Sequence, residues 1–370
     1  MRIAMFGHKR VPSREGGVEI VVGELSRRMA ERGHEVTCYN RSGHHVSGSE
    51  FDGAEISLEN VRLKAVPTLN KKGLAAVTSS FFAAVACAFS RADVVHIHAE
   101  GPAFMCWLPK LFRKKVVVTV HGLDWQREKW KNGFGAKYIR WGEKMAVRFA
   151  DEIIVLSRNM QRYFQDTYGR KTVWIPNGIA EPKSVPVQEI RSHFGLEKDR
   201  YILFLGRLVP EKGIHYLIEA YRELKTDRKL VIAGGASDSD TYVRKLIAMA
   251  SDSPDIVFTG FVQGKVMEEL YSNAYLYVLP SDVEGMPLSL LEAMSYGNCC
   301  VVSDIPECAE VVEDKAVCFP KGDRAALKEC LKMLCDDPVP VDAYRKNAKK
   351  FICKKYNWND VTERTLELYQ

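Results

Sequence analysis

The sequence predicts an α/β protein of two doubly wound parallel sheets. Three observations predict it. Short β-branched runs alternate with longer helical patterns through all 370 residues. Many of those runs lack the polar alternation of a half-exposed strand, as parallel strands covered on both faces should. The alternation also comes as two separate series, one per sheet.

The first series of expected strands is Arg2–Phe6, Val36–Tyr39, Arg62–Val66, Val94–His98, Val116–His121, Glu152–Leu156 and Thr172–Ile175. The second is Tyr201–Leu205, Lys229–Ala233, Ile256–Thr259, Tyr275–Leu279, Cys300–Ser303 and Val317–Phe319. Between them, Ala180–Val187 is proline-rich and polar, as a linker should be. A fresh amphipathic helix then opens at Gln188. The expected domains are therefore 1–178 and 179–355. Residues 356–370 form a tail, with Val361, Thr365 and Leu368 on one helical face and Trp358 placed to anchor it on the first domain.

Composition, 46% hydrophobic and 27% charged, is that of a soluble globular chain. Ten cysteines without a C-x-x-C pair read as reduced thiols rather than as a zinc site or a disulfide framework. The opening Met1–Phe6 is a short strand and lacks the apolar region of a signal peptide. Residues 1–178 hold 28 Lys and Arg against 17 Asp and Glu, a charge of +11; the remainder holds 25 against 30, or −5. Such asymmetry suggests an oriented partner, although a solvated surface explains it too. Leu74–Phe89 is apolar over 16 residues, short of the ~20 that span a bilayer. A buried helix is the plainer reading, and a helix with one face towards lipid the sharper one. Lys71-Lys72 and Arg113-Lys114-Lys115 flank it with suitably placed cations.

Four motifs carry chemistry. Gly16-Gly17-Val18-Glu19 follows the first strand and opens a helix to about Arg32. Paired glycines let backbone approach a phosphate at a helix N-terminus, although a plain Gly-rich turn competes. Neither G-x-G-x-x-G nor G-x-x-x-x-G-K-[ST] occurs, which argues against a dinucleotide or a P-loop. Gly206-Arg207-Leu208-Val209-Pro210-Glu211-Lys212-Gly213 follows the strand Tyr201–Leu205. Its forked guanidinium and point ammonium make a clamp for two phosphates. Surface charge competes, but a cation at a helix start is unfavourable unless an anion is near.

Glu284 and Glu292 bracket Gly285-Met286-Pro287-Leu288. Glu284 lies in a loop, and Glu292 on a helix beginning near Pro287. Gly285, Met286 and Leu288 offer backbone N–H groups, and Pro287 none. Finally, His121 ends a strand before Gly122 and Asp124, where a histidine can touch substrate or simply satisfy structure; His96 and His98 are weaker candidates. Asp238-Ser239-Asp240 spells a metal-binding D-x-D, but a helix cap explains it as well. Open α/β sheets bind ligands at the carboxyl ends of their strands. Cations for a diphosphate and carboxylates for sugar hydroxyls, gathered there, suit a nucleotide-sugar.

Together these motifs resemble those of the family 4 glycosyltransferases, over nearly the whole chain: GGVE, the His121-Gly122 strand end, Ile175-Pro176-Asn177-Gly178-Ile179, GRLVPEKG, the glutamate pair and the tail. The opening GHKRVPSREGGVEIVVGEL further resembles a bacterial subgroup linked to rhamnosyl and related transfers in surface-polysaccharide assembly. The resemblance implies a GT-B fold, two Rossmann-like domains facing a cleft, with acceptor binding in the first and nucleotide-sugar binding in the second. It implies that Gly16, Gly17, Arg207 and Lys212 hold the donor diphosphate and that Gly260, Phe261 and Val262 read the base. Glu292 would accept from the ribose. Glu284 and the backbone of Gly285, Met286, Pro287 and Leu288 would contact the sugar, with Glu310 nearby and His121 at the reacting centre. The usual Gly-Phe-Gly after the first glutamate is Gly285-Met286-Pro287 here, which leaves the sugar open.

The implied reaction is retaining transfer from a UDP-, dTDP- or GDP-linked hexose or rhamnose to a lipid-linked or glycan acceptor. It needs no metal, no cofactor and no nucleic acid, and takes place in the cytoplasm at the inner face of the membrane. A nucleotide-sugar 2-epimerase and a non-catalytic nucleotide-sugar binder are the alternatives. An intact Glu284, Arg207 and Lys212 argue against the binder.

Overall fold

The computed structural model describes the chain except residues 44–56, 70, 72, 127–132 and 236–239. It divides into two compact units. The first is Met1–Asn177 with Trp358–Gln370, and the second is Gly178–Asn357.

The sheet of the first unit holds β1 (Arg2–Phe6), β2 (Glu35–Arg41), β3 (Val61–Val66), β4 (Val94–His98), β5 (Lys115–Val120), β6 (Glu152–Val155) and β7 (Val173–Trp174). Their order is β3-β2-β1-β4-β5-β6-β7, with every neighbour parallel. Central β4 (VVHIH) is buried at every position, whereas edge strand β3 (VRLKAV) keeps exposed positions because one side has no neighbour. The helix Gly17–Glu31 lays Val21, Val22, Leu25 and Met29 into the core. The returning helix Trp358–Glu367 packs on it: Trp358 is buried, and Arg28 Nη1 donates to Asn359 Oδ1 at 2.8 Å.

The second unit holds β8 (Tyr201–Leu205), β9 (Lys229–Ala233), β10 (Ile256–Gly260), β11 (Leu276–Leu279), β12 (Cys299–Ser303) and β13 (Val317–Phe319), in the order β10-β9-β8-β11-β12-β13 and again all parallel. All thirteen expected strands form, most within a residue or two of the expected bounds. Both sheets reverse their strand order at a single point, between β1 and β4 in one and between β8 and β11 in the other. At such a point the loops leaving neighbouring strands diverge to opposite faces and open a crevice for ligand.

The apolar segment after Lys71 forms the helix Leu74–Ala88 and is not buried all round. Its small residues Ser79, Ser80, Ala83, Ala84 and Cys87 face the core. Leu74, Phe81 and Phe82 are exposed on the other face, and Phe89 just beyond it is 73% exposed. Phe89 meets Phe112 with ring centroids 4.7 Å apart, which extends the apolar surface to Leu111, 69% exposed, and Phe112. Of the flanking cations, Arg113 is exposed, while Lys114 Nζ is drawn inward to the carbonyls of Ser90 and Ala92 at 2.8 and 3.0 Å. Lys72 lies outside the described residues. Among the described residues no helix is long and apolar enough to cross a membrane. All ten cysteines are free thiols.

Candidate active site

In the second unit the loops after β8 and β11 bring the sequence motifs together. After β8 the chain forms a short 3-10 turn, Pro210–Lys212, and then the helix Ile214–Arg222. Gly213 joins the two at φ +65°, and a Cβ there would lie 2.0 Å from the Pro280 carbonyl oxygen. Only glycine permits that approach, and it presses the Lys212 loop against the end of β11. Asp282 N donates to Glu211 O at 2.8 Å across the same seam. Lys212 Nζ thereby reaches Glu284 Oε1 at 2.5 Å, and Ser281 Oγ donates to the same oxygen at 2.6 Å. Arg207, half-buried, stands five residues before Lys212 at the same strand end.

Pro287 precedes the helix Leu288–Ser295, and Met286 and Leu288 are buried. Glu292, half-buried on that helix, accepts from Tyr271 OH at 3.1 Å; the Tyr271 ring stacks on Tyr296 at 5.5 Å. Gly260, Phe261 and Val262 leave the end of edge strand β10, and Gly234 N donates to Gly260 O at 2.8 Å, tying that corner to β9. Glu310 lies on the helix Pro306–Val312, after β12. One crevice edge thus collects two cations and two carboxylates with a backbone corner at its end.

In the first unit Gly16 caps the helix Gly17–Glu31. The buried Glu19 folds back over it: a Cβ on Gly16 would lie 2.7 Å from Glu19 Oε2, and Glu19 Oε1 accepts from Lys9 N at 2.8 Å. An internal carboxylate therefore sits in the first turn, where the helix dipole favours an anion. His121 directly follows β5 and is half-buried. His96 and His98 point inward from β4, both fully buried. Burial pushes His96 down to about 3 and holds His98 well below the ordinary imidazole range. His8 is likewise buried, pushed down to about 4, and bonds Asn40 Oδ1 at 2.9 Å.

Sequence reasoning missed a buried carboxyl pair beside the His121 loop. Glu100 and Glu143 are both fully buried. Glu100 Oε2 accepts from Asp124 N at 2.9 Å, and Glu143 Oε1 from Tyr163 OH at 2.7 Å. Burial first, then the charges of Asp124 and Glu143, raise the Glu100 carboxyl well above the carboxylate range. No spacing signals this pair, because 43 residues separate its members. Asp238 and Ser239 of the D-x-D motif lie outside the described residues. Among the described residues no three His, Cys, Asp or Glu side chains gather to hold a metal.

The pattern of the family described as Glycosyltransferase Family 4 matches residues 15–181, and that of Glycosyl transferases group 1 matches residues 187–351. The chain belongs to the GT-B glycosyltransferases. Among the relatives of this glycosyltransferase is alpha-maltose-1-phosphate synthase of Mycobacterium tuberculosis, 26% identical over the whole of this chain and 99% of the relative. Sucrose-phosphate synthase from Thermosynechococcus elongatus superposes with a TM-score of 0.82 at 21% identity, over 100% of this chain and 98% of that one. Anabaena HepE, solved with UDP-glucose, gives 0.81 at 17% identity, over 99% and 98%. At these identities the structural likeness establishes the fold.

Proposed function

We propose that the protein is a retaining glycosyltransferase that moves a sugar from a nucleoside-diphosphate donor to a lipid-linked or glycan acceptor in cell-surface polysaccharide synthesis. The observation that carries the donor half is the Lys212–Glu284 pair beside Arg207, at the point where the strand order of the second unit reverses. Arg207 and Lys212 hold the diphosphate. Glu292 accepts from the ribose, the Gly260–Val262 backbone reads the base, and Glu284 with the 285–288 backbone orients the sugar. That one neighbour by fold was solved with UDP-glucose supports a donor of this class. As the bond to the anomeric carbon breaks, charge builds on the departing phosphate, and fixed cations stabilise it without a metal ion. No side chain stands as a covalent nucleophile in this reading. The departing phosphate takes the acceptor proton on the same face, so configuration is retained.

The first unit takes the acceptor, and the protein works on the cytoplasmic face of the membrane. The exposed apolar face of Leu74, Phe81, Phe82, Phe89, Leu111 and Phe112, beside exposed Lys71 and Arg113, supports that placement. The test is thermal stabilisation by a panel of UDP-, GDP- and dTDP-sugars, followed by transfer assays with lipid-linked acceptors. One donor at 100 times its dissociation constant should add ~2.7 kcal/mol. No stabilisation by any member would reject the reading.

A further inference from the structure

We propose that His98 is a positioning residue for His121: its Nδ1–H donates to His121 Nε2 and holds that ring as the Nδ1–H tautomer. The proposal rests on the reading that His121 acts at the reacting centre.

His98 Nδ1 lies 3.1 Å from His121 Nε2, with ring centroids 5.3 Å apart. His98 is fully buried, and its other nitrogen, Nε2, has no partner among the described residues. Burial and the neighbouring His96, His121 and His8 keep the His98 ring neutral, so it carries one proton. On Nε2 that proton would make a buried N–H with no acceptor. On Nδ1 it completes the bond to His121 and leaves only a lone pair unsatisfied. Orphaned buried donors are much the rarer outcome, so the proton belongs on Nδ1. His121 Nε2 must then be the acceptor, and a neutral His121 keeps its own proton on Nδ1.

This changes what His121 can do. Its Nε2 lone pair is committed to His98, so that nitrogen is no general base. In this tautomer the ring carries its proton on Nδ1, the polarity of a donor towards a sugar hydroxyl or a developing negative charge. A His121 that is not a base agrees with deprotonation by the departing phosphate.

His98 is itself held in place. His96 packs on it with centroids 4.2 Å apart. The His96 ring is pinned at both ends by hydroxyls, Tyr369 OH on Nδ1 at 2.6 Å and Thr119 Oγ1 on Nε2 at 2.7 Å. Each hydroxyl can donate or accept, so the ring's position is fixed whichever nitrogen is protonated. Tyr369 belongs to the returning segment and is buried in the first unit. The series Tyr369, His96, His98, His121 therefore ties the docking of that segment to the orientation of the last imidazole.

The test uses the whole protein labelled with ¹⁵N-histidine. Long-range proton–nitrogen spectra report which ring nitrogen of each histidine is protonated, and His121→Asn identifies the relevant signals. In the wild type His121 should show a protonated Nδ1 and a bare Nε2. His98→Asn, whose amide places an N–H where Nδ1 stood, should keep that pattern. His98→Leu should lose it and lower turnover about tenfold or more with little change in KM, because a misplaced group costs rate. A protonated His121 Nε2 in the wild type would overturn the proposal. So would His98→Leu leaving spectrum and turnover unchanged. The wild-type spectrum decides the tautomer even if His98→Leu does not fold. A wild type that turns over no nucleotide-sugar would sink the glycosyl-transfer reading separately.

Discussion

Lys212 Nζ and Glu284 Oε1 lie 2.5 Å apart, with side chains only 11% and 8% exposed. Removing one member of such a pair leaves the other charge in a poorly solvated place, which costs about 3–5 kcal/mol. Lys212→Ala should therefore lower stability as well as donor binding, and Lys212→Met with Glu284→Gln together should recover much of the loss. Denaturant titration of the single and double variants checks this. Equal stability of Lys212→Ala and wild type would show the pair to be inert.

Arg207 is less buried and should behave differently. Arg207→Ala should keep the fold and weaken nucleoside-diphosphate binding by roughly 1.5–3 kcal/mol, the worth of a charge-assisted hydrogen bond. Calorimetry with the free diphosphate measures it; unchanged affinity would remove Arg207 from the site.

The two glutamates should divide their roles. Glu284, tied to Lys212 and Ser281, faces the sugar in our reading, so Glu284→Ala should depress kcat more than nucleotide affinity. Glu292, whose Oε2 accepts from Tyr271 OH at 3.1 Å, should do the reverse. Tyr271→Phe should weaken nucleotide binding in the same direction and by less. Identical losses of kcat in both glutamate variants, at constant affinity, would contradict the division.

The buried histidines set a pH limit on the fold. His8 and His96 titrate at about 4 and about 3 when folded, and near 6.5 when unfolded. Between those values the unfolded chain binds more protons, so stability rises with pH there. Their contribution is complete above about 6.5 and is lost as pH falls through about 4 for His8 and about 3 for His96, on the order of a few kcal/mol for each ring. Urea midpoints at pH 7, 6 and 5 should decline in that order. A flat profile would mean that these rings titrate alike in the folded and unfolded chain.

Membrane binding should depend on both apolar and basic residues. The wild type should co-sediment with anionic vesicles more than with neutral ones, and less in high salt. Phe89→Ser should weaken binding by roughly tenfold, as expected for a lost apolar side chain. Equal behaviour on both vesicle types, or no effect of Phe89→Ser, would favour a soluble acceptor.

The strands were legible because a parallel strand covered on both faces tends to be apolar through its length: β8 and β11 obey this, while β4 departs from it at His96 and His98 and β5 at Lys115 and Thr119. The cations and carboxylates of the second unit were legible because they directly follow such strands, and in a parallel sheet every strand end falls on one edge. Sequence by itself thus determined the fold class and the motif-bearing edge. It could not determine burial or partner. Leu74–Phe89 reads as uniformly apolar, yet only its small residues are covered, since which face meets the core depends on packing. Glu100 with Glu143, and Tyr369 with His96, lie 43 and 273 residues apart. Only the tertiary structure brought them together, because contacts between distant segments are set by how the elements pack, which no local pattern encodes.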